Sequence, residues 1–344
     1  MFIDEDGKRK ERNRMGNVFI IGNGFDLDLG LPTKYSQFAD STYWPVSSSK
    51  KQMEMEEAIQ YGGSIPPEAL GLYNTIENAK NKETWFDLEK ELLVFAKVRE
   101  ITRYVESLED VKNNVDYFNK LRNSLNDYIL NVQNNQEISK SCKASDVLNA
   151  IVGNGYFENI YSFNYTDLNS IAKQIGITNE IKYTHLHGNV KDRTIILGVD
   201  ETKLRNGYEC FHKSSSRYYR SHDLYNSLIT ANEIVIFGLS FGKIDYSYFD
   251  KYFKSLSEGK SISDDKKQYI TIFTKDDGSR LSIITNLRNM GINIQRLYAQ
   301  SHFQIICTSD DVEKKELSDF YNRLEENSLH VYEEKLRGMA MLVP

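Results

Sequence analysis

Four short blocks of the sequence carry residue types that could do chemistry. In the first, the apolar run VFII (18–21) enters the turn Gly22-Asn23-Gly24-Phe25-Asp26, and an acid stands where a helix should begin. Backbone N–H groups at such a helix start attract an anion, and glycine lets a ligand approach the backbone. The full dinucleotide fingerprint needs a third glycine, and Leu27 stands in its place. It also needs an acid about 20 residues later at the end of a strand, which is missing. The turn is therefore compatible with a nucleotide but argues against a hydride-transferring dehydrogenase. Plain punctuation of the chain by glycine is the alternative.

The second block is YSFNYTD (161–167), where Asn164 closes a strand-like run. An amide there can hold a sugar hydroxyl or orient a water, or it can cap the next helix. The third, THLHGN (184–189), places His185 and His187 on one strand face by period-2 alternation. No third ligand is in register for a metal, so His187, beside the permissive Gly188, is the candidate general base. A histidine packed in the core is the plain alternative. The fourth, Gly238-Leu239-Ser240-Phe241-Gly242, matches a nucleophile elbow after a strand, with Asp276 or Asp277 and then His302 following in hydrolase order. Lys243-Ile244-Asp245 intervenes before a helix can start, which weakens that match.

These residues need elements to position them. Runs suited to buried strands recur at 18–21, 159–163, 180–187, 194–199, 233–238, 269–274 and 303–307, with amphipathic stretches between several of them. Strands alternating with helices predict an α/β fold with a Rossmann-like, mainly parallel sheet. The long interval after the first strand predicts a helical insertion at about 44–150, loop-like over 44–72 and helical over 85–108 and 116–132. On the first of these helices Leu88, Leu92, Phe95 and Val98 share one side and the charges another. Residues 16–309 would form the main domain, and 310–344 a C-terminal helical segment.

Composition narrows the function. The chain has 344 residues, 40% of them hydrophobic, and a net charge of −6, with no basic run beyond the opening residues. That disfavours a dedicated nucleic-acid binder. Cys142, Cys210 and Cys307 are scattered, which disfavours a disulfide framework or a structural zinc site. No apolar run approaches the roughly 18 residues that span a bilayer. The opening residues 1–15 read as a polar, disordered leader without a signal-peptide core, with Met15 as an alternative start, and a cytoplasmic protein is expected.

Taken in order, GNGFDLDLGLPTKYSQF, WFDLEKEL, YSFNYTD, HLHG with the downstream ILG, and GLSFGKIDY resemble the AbiH family of bacterial phage abortive-infection proteins, over residues 17 to 250. The same blocks are similar to a divergent sirtuin-like NAD-binding fold. That resemblance implies Gly22 and Gly24 under the phosphates, Asn164 at the nicotinamide-side ribose or its water, and His187 as base at a ribose hydroxyl. Gly238 and Ser240 would close over the adenosine side, and Asn23, Thr166 and Asp245 would join the binding residues. Asp26 stands where sirtuins carry a serine, and Thr166 where they carry an acid, with Asp167 one position later. The zinc-binding cysteines of the deacetylases are missing.

The resemblance thus implies anti-phage defence by hydrolysis of NAD to ADP-ribose and nicotinamide. NAD is then substrate or ligand rather than a prosthetic group, and Asp26 would stabilise positive charge on the ribose. Capping of the following helix by Asp26 is the alternative. A homo-oligomer or a partner defence protein would hold the effector inactive, and no membrane partner is expected. Two rivals stand beside this reading: a non-catalytic nucleotide-binding sensor in a defence assembly, and a serine hydrolase using Ser240.

Overall fold

Fully buried β-branched and aromatic runs demand cover on both faces, and a parallel sheet provides it. A computed structural model of the protein describes residues 17–45, 67–82, 87–97, 106–155, 157–200, 202–219, 224–259, 267–309 and 314–340. The expected leader and residues 46–66 of the expected loop region lie outside them. Among the described residues there are six strands: β1 Asn17–Ile21, β2 Phe157–Ser162, β3 Thr184–His185, β4 Glu233–Phe237, β5 Tyr269–Thr274 and β6 His302–Cys307. They lie in the order β3-β2-β1-β4-β5-β6, and every neighbouring pair is parallel. This is a doubly wound, Rossmann-like order, and the parallel sheet is the one that the alternation of strands and helices predicted.

Alternate strand residues feed two separate cores, as period-2 geometry requires. Phe19, Ile21, Val235, Phe237 and Phe273 face one core. That side is covered by helices inserted between β1 and β2, including α4 (Leu88–Ala96), α5 (Leu108–Asn135) and α6 (Lys143–Asn154), and by α12 (Lys314–Ala340). Val18, Ile20, Ile234, Ile236, Ile270 and Ile272 face the other, under α8 (Leu224–Thr230), α9 (Tyr246–Ser257), α10 (Asp277–Asn289) and α11 (Ile294–Gln300). The remaining helices are α1 (Asn23–Asp28), α2 (Tyr35–Ala39), α3 (Pro67–Lys82) and α7 (Leu168–Gln174).

The C-terminal segment is fastened to the sheet. Phe320 and Leu324 enter its core, and Arg323 pairs at 2.8 Å with the buried Glu233 at the start of β4.

Several expectations need correction. Residues 194–199 form no strand, only a single bridge from Val199 to His212. Ile195, Ile196 and Leu197 are buried, but their backbone is satisfied locally: Ile196 N–H donates to His187 O, and Val199 exchanges hydrogen bonds with Phe211 and Lys213. The 180–187 run pairs with the sheet only at Thr184 and His185, and Gly188 then turns the chain with φ 73°. The expected loop over 44–72 already contains the start of α3, with Pro67 in the first-turn position that suits it. Helix α5 is longer than 116–132, because Ser107 and Asp110 form a capping box ahead of it. The two acids Glu89 and Glu91 of α4, expected on a solvated face, are buried.

Candidate active site

In a doubly wound sheet the ligand crevice is expected at the strand C-termini where the order reverses, here between β1 and β4. In this protein that crevice is closed by backbone. Gly22 N–H donates to Phe237 O and Gly24 N–H to Gly238 O, both at 2.8 Å. A methyl group on Gly22 would sit 2.7 Å from the Gly238 carbonyl oxygen, and one on Gly24 would sit 2.6 Å from Gly238 Cα. Gly238 itself has φ 71°, and its Cβ would fall 2.3 Å from Phe25 N. The three glycines therefore let two crossing turns touch, and all three of their N–H groups are spent on backbone carbonyls rather than turned outward, Gly238 N–H donating to Phe273 O at 2.9 Å.

The polar residues converge one strand over, above the ends of β1, β2 and β3. Helix α1 carries Asp26, which is buried. Asn164 and Thr166 follow β2, and His187 follows β3. Asn164 Nδ2 donates to Asp26 Oδ1 at 2.8 Å and to Gly22 O at 3.0 Å. Thr166 Oγ1 donates to Asp26 Oδ2 at 3.0 Å. Burial pushes the Asp26 carboxyl up to about 7, against the downward pull of its Thr166 and Asn164 donors. Asp26 belongs to the first turn of α1 and does not cap it.

Asp26, Asn164 and His187 border a cavity of about 120 Å³, whose lining also includes Asn23, Tyr35 and Tyr165; Thr166 acts on it only through Asp26. Helix α5 contributes Leu125 and Ile129 to its wall. Asn164 Oδ1 is buried there and accepts no hydrogen bond among the described residues. His187 packs edge-on against Phe163 at 5.3 Å, and its Nε2 shares a 3.2 Å hydrogen bond with Tyr248 OH. Asn23 Oδ1 accepts from Thr33 Oγ1 at 2.6 Å.

His185, the other histidine of that block, is tied to the Asn164 carbonyl and to Tyr183 OH, each at 3.1 Å; burial holds its imidazole below the usual value. Asp167 is likewise engaged elsewhere, accepting from Ser170 Oγ and Tyr183 OH. Burial opposes its ionisation, but those donors outweigh it and keep the carboxyl below its usual range.

Beside the cavity lies a buried charge cluster that sequence reasoning missed. Glu89 Oε2 and Lys213 Nζ are 3.1 Å apart, and both side chains are almost fully buried. Burial raises Glu89 to about 7 in spite of Lys213. For Lys213, burial acts downward, yet Glu89, Asp200 and Asp245 together hold its ammonium above the ordinary value. Asp245, expected among the binding residues, is raised to about 6 by burial, opposed by Lys213. A signal for Glu89 existed: Leu92 and Ala96, three and seven positions on, put it on the apolar stripe of α4. Nothing in the polar stretch HKSSSR (212–217) marked Lys213.

Ser240 and His302 are not brought together. Ser240 is exposed just past the C-terminal end of β4, with its carbonyl accepting from Asn286. His302 opens β6 and stacks on Tyr269, which opens β5. One lies at each end of the parallel sheet, a strand length of roughly 17 Å apart. Asp276 is occupied in capping α10 through Ser279. Besides Gly238, the residue of the elbow with positive φ is the buried Phe241, at 53°, and not Ser240.

Searches among curated proteins and among solved structures return no match. A family model described as bacteriophage abortive infection AbiH matches residues 18–263, from β1 through the elbow and α9. Every residue around the cavity lies within that span, and the chain belongs to the AbiH family of bacteriophage abortive infection.

Proposed function

We propose that this AbiH protein acts in phage defence by hydrolysing NAD at its nicotinamide–ribose bond. The observation that carries the reading is the meeting of a carboxyl, an amide with an unpartnered acceptor and an imidazole, each from a different strand end, around one cavity. The bond between nicotinamide N1 and ribose C1′ breaks with its electron pair leaving on nicotinamide, which departs neutral. The ribose acquires oxocarbenium character, and water adds at C1′ to give ADP-ribose and a proton. Ionised Asp26 would stabilise the positive charge. Asn164 Oδ1 would accept from the water or a ribose hydroxyl, and His187 would act as base on that hydroxyl. A cavity of about 120 Å³ is below the roughly 300–1,000 Å³ of whole-ligand clefts. It suits the sugar at the scissile bond, with the rest of the dinucleotide outside.

The test is nicotinamide release from NAD by the purified protein, with and without phage lysate, compared with His187→Ala. Release that falls by about 10²-fold or more in the variant supports the assignment. NAD binding without release by either protein would replace hydrolysis with a nucleotide sensor. Absence of both binding and release would refute the NAD reading altogether.

A further inference from the structure

A second, larger cavity of about 430 Å³ opens on the other side of α5, between that helix and the segment from Arg193 to Tyr218. Its lining includes Arg122, Arg193, Arg217 and His212, and among the described residues no carboxylate lines it. Three guanidinium groups around one cavity are unexpected in a chain whose net charge is −6. Arg193 pairs with Asp127 at 2.7 Å. Among the described residues Arg122 donates to the neutral Asn119 Oδ1, at 3.2 Å. Arg217 lies over the Tyr218 ring, 4.7 Å from its centroid.

The inner wall carries a stronger indication. Asn126 is 4% exposed, and neither its Nδ2 nor its Oδ1 has a hydrogen-bond partner among the described residues. His212 Nδ1 is buried and unpartnered as well. Buried amides are almost always satisfied, so an amide presenting a free donor and a free acceptor calls for a complementary group. The edge of a nucleobase offers that pairing, as asparagine's two-point contact with adenine illustrates. Guanidinium groups nearer the mouth match phosphate oxygens in the same way.

We infer that this cavity is a nucleotide-binding site, with Asn126 reading the base edge and Arg122 and Arg217 holding the phosphates. It is distinct from the cavity at Asp26 and does not depend on the NAD reading. Helix α5 forms a wall of both: Arg122 and Asn126 stand one turn apart on one cavity, Leu125 and Ile129 on the other. An occupant here touches the same helix that bounds the Asp26 site, which is the geometry of an effector site.

Calorimetric titration of the full chain with ATP, with adenosine and inorganic pyrophosphate as controls, tests the assignment. The expected result is ATP binding that weakens at least tenfold in both Arg122→Gln and Asn126→Leu and is unchanged in Asp26→Asn. Should Asn126→Leu fail to fold, Arg122→Gln, on a partly exposed position, carries the comparison with Asp26→Asn. Three results would overturn it: no ATP binding; pyrophosphate binding as tightly as ATP; or ATP binding lost in Asp26→Asn and retained in Arg122→Gln.

Discussion

Asn164 Nδ2 donates to Asp26 Oδ1 at 2.8 Å across 138 residues of sequence, joining the turn after β2 to the first helix after β1. The same amide nitrogen reaches Gly22 O. One side chain thus fixes the carboxyl and the glycine turn together, while its own oxygen accepts no hydrogen bond among the described residues.

This environment makes the protein sensitive to pH in a definite direction. An unfolded aspartate titrates near 3.9, and folded Asp26 at about 7. Between those values the folded state holds more protons, so stability falls as pH rises through roughly 4 to 7 and levels off above. Glu89, raised to about 7, contributes with the same sign. Urea unfolding from pH 5 to 8 should show this decline, and Asp26→Asn should flatten its own share, on the order of a few kcal/mol at about 1.4 kcal/mol per pKa unit. Under the proposed chemistry, nicotinamide release should instead rise through pH 7 as Asp26 ionises. It should drop about 10²–10³-fold in Asp26→Asn.

The glycine contact between β1 and β4 predicts a steep, position-specific cost. Gly238→Ala would place a methyl 2.3 Å from Phe25 N at φ 71°. Backbone must shift, and the loss should be about 3 kcal/mol or more, combining overpacking with strain. Gly30→Ala, at φ 87° but with nothing within 4 Å, should cost only about 1–2 kcal/mol. Thermal unfolding of the two variants checks the contrast; equal losses would contradict it.

The buried pair beside the site predicts a non-additive pattern. Lys213→Met leaves Glu89 without its cation and should cost about 3–5 kcal/mol. Because Glu89 can take up a proton, the loss should be smaller at pH 6 than at pH 8. Adding Glu89→Gln should recover part of it, so that the double variant is more stable than Lys213→Met alone. Denaturant unfolding of the wild type, Lys213→Met, Glu89→Gln and the double variant at both pH values measures this coupling.

Ser240→Ala should change neither stability, within about 0.5 kcal/mol for an exposed position, nor nicotinamide release. Abolished release in that variant would revive the serine hydrolase in spite of the separation between Ser240 and His302.

The sequence by itself determined the sheet, its class and the order of the family blocks. VFII, EIVIF, YITIFT and HFQIIC became strands because a run that is apolar on both faces has no comfortable place except inside a two-sided sheet. It also marked Asn164 and His187 at strand ends and Asp26 at a helix start, and the sirtuin-like resemblance added Thr166. Tertiary structure alone decided what those residues meet. Equally apolar residues at 194–199 pair with a loop instead of the sheet, because periodicity records burial and not the identity of a backbone partner. The glycines bind each other's turns, because close approach of backbones leaves no trace in either turn separately. Glu89 and Lys213 came together from positions more than a hundred residues apart, and a charge enters the interior only where the fold brings it an opposite partner.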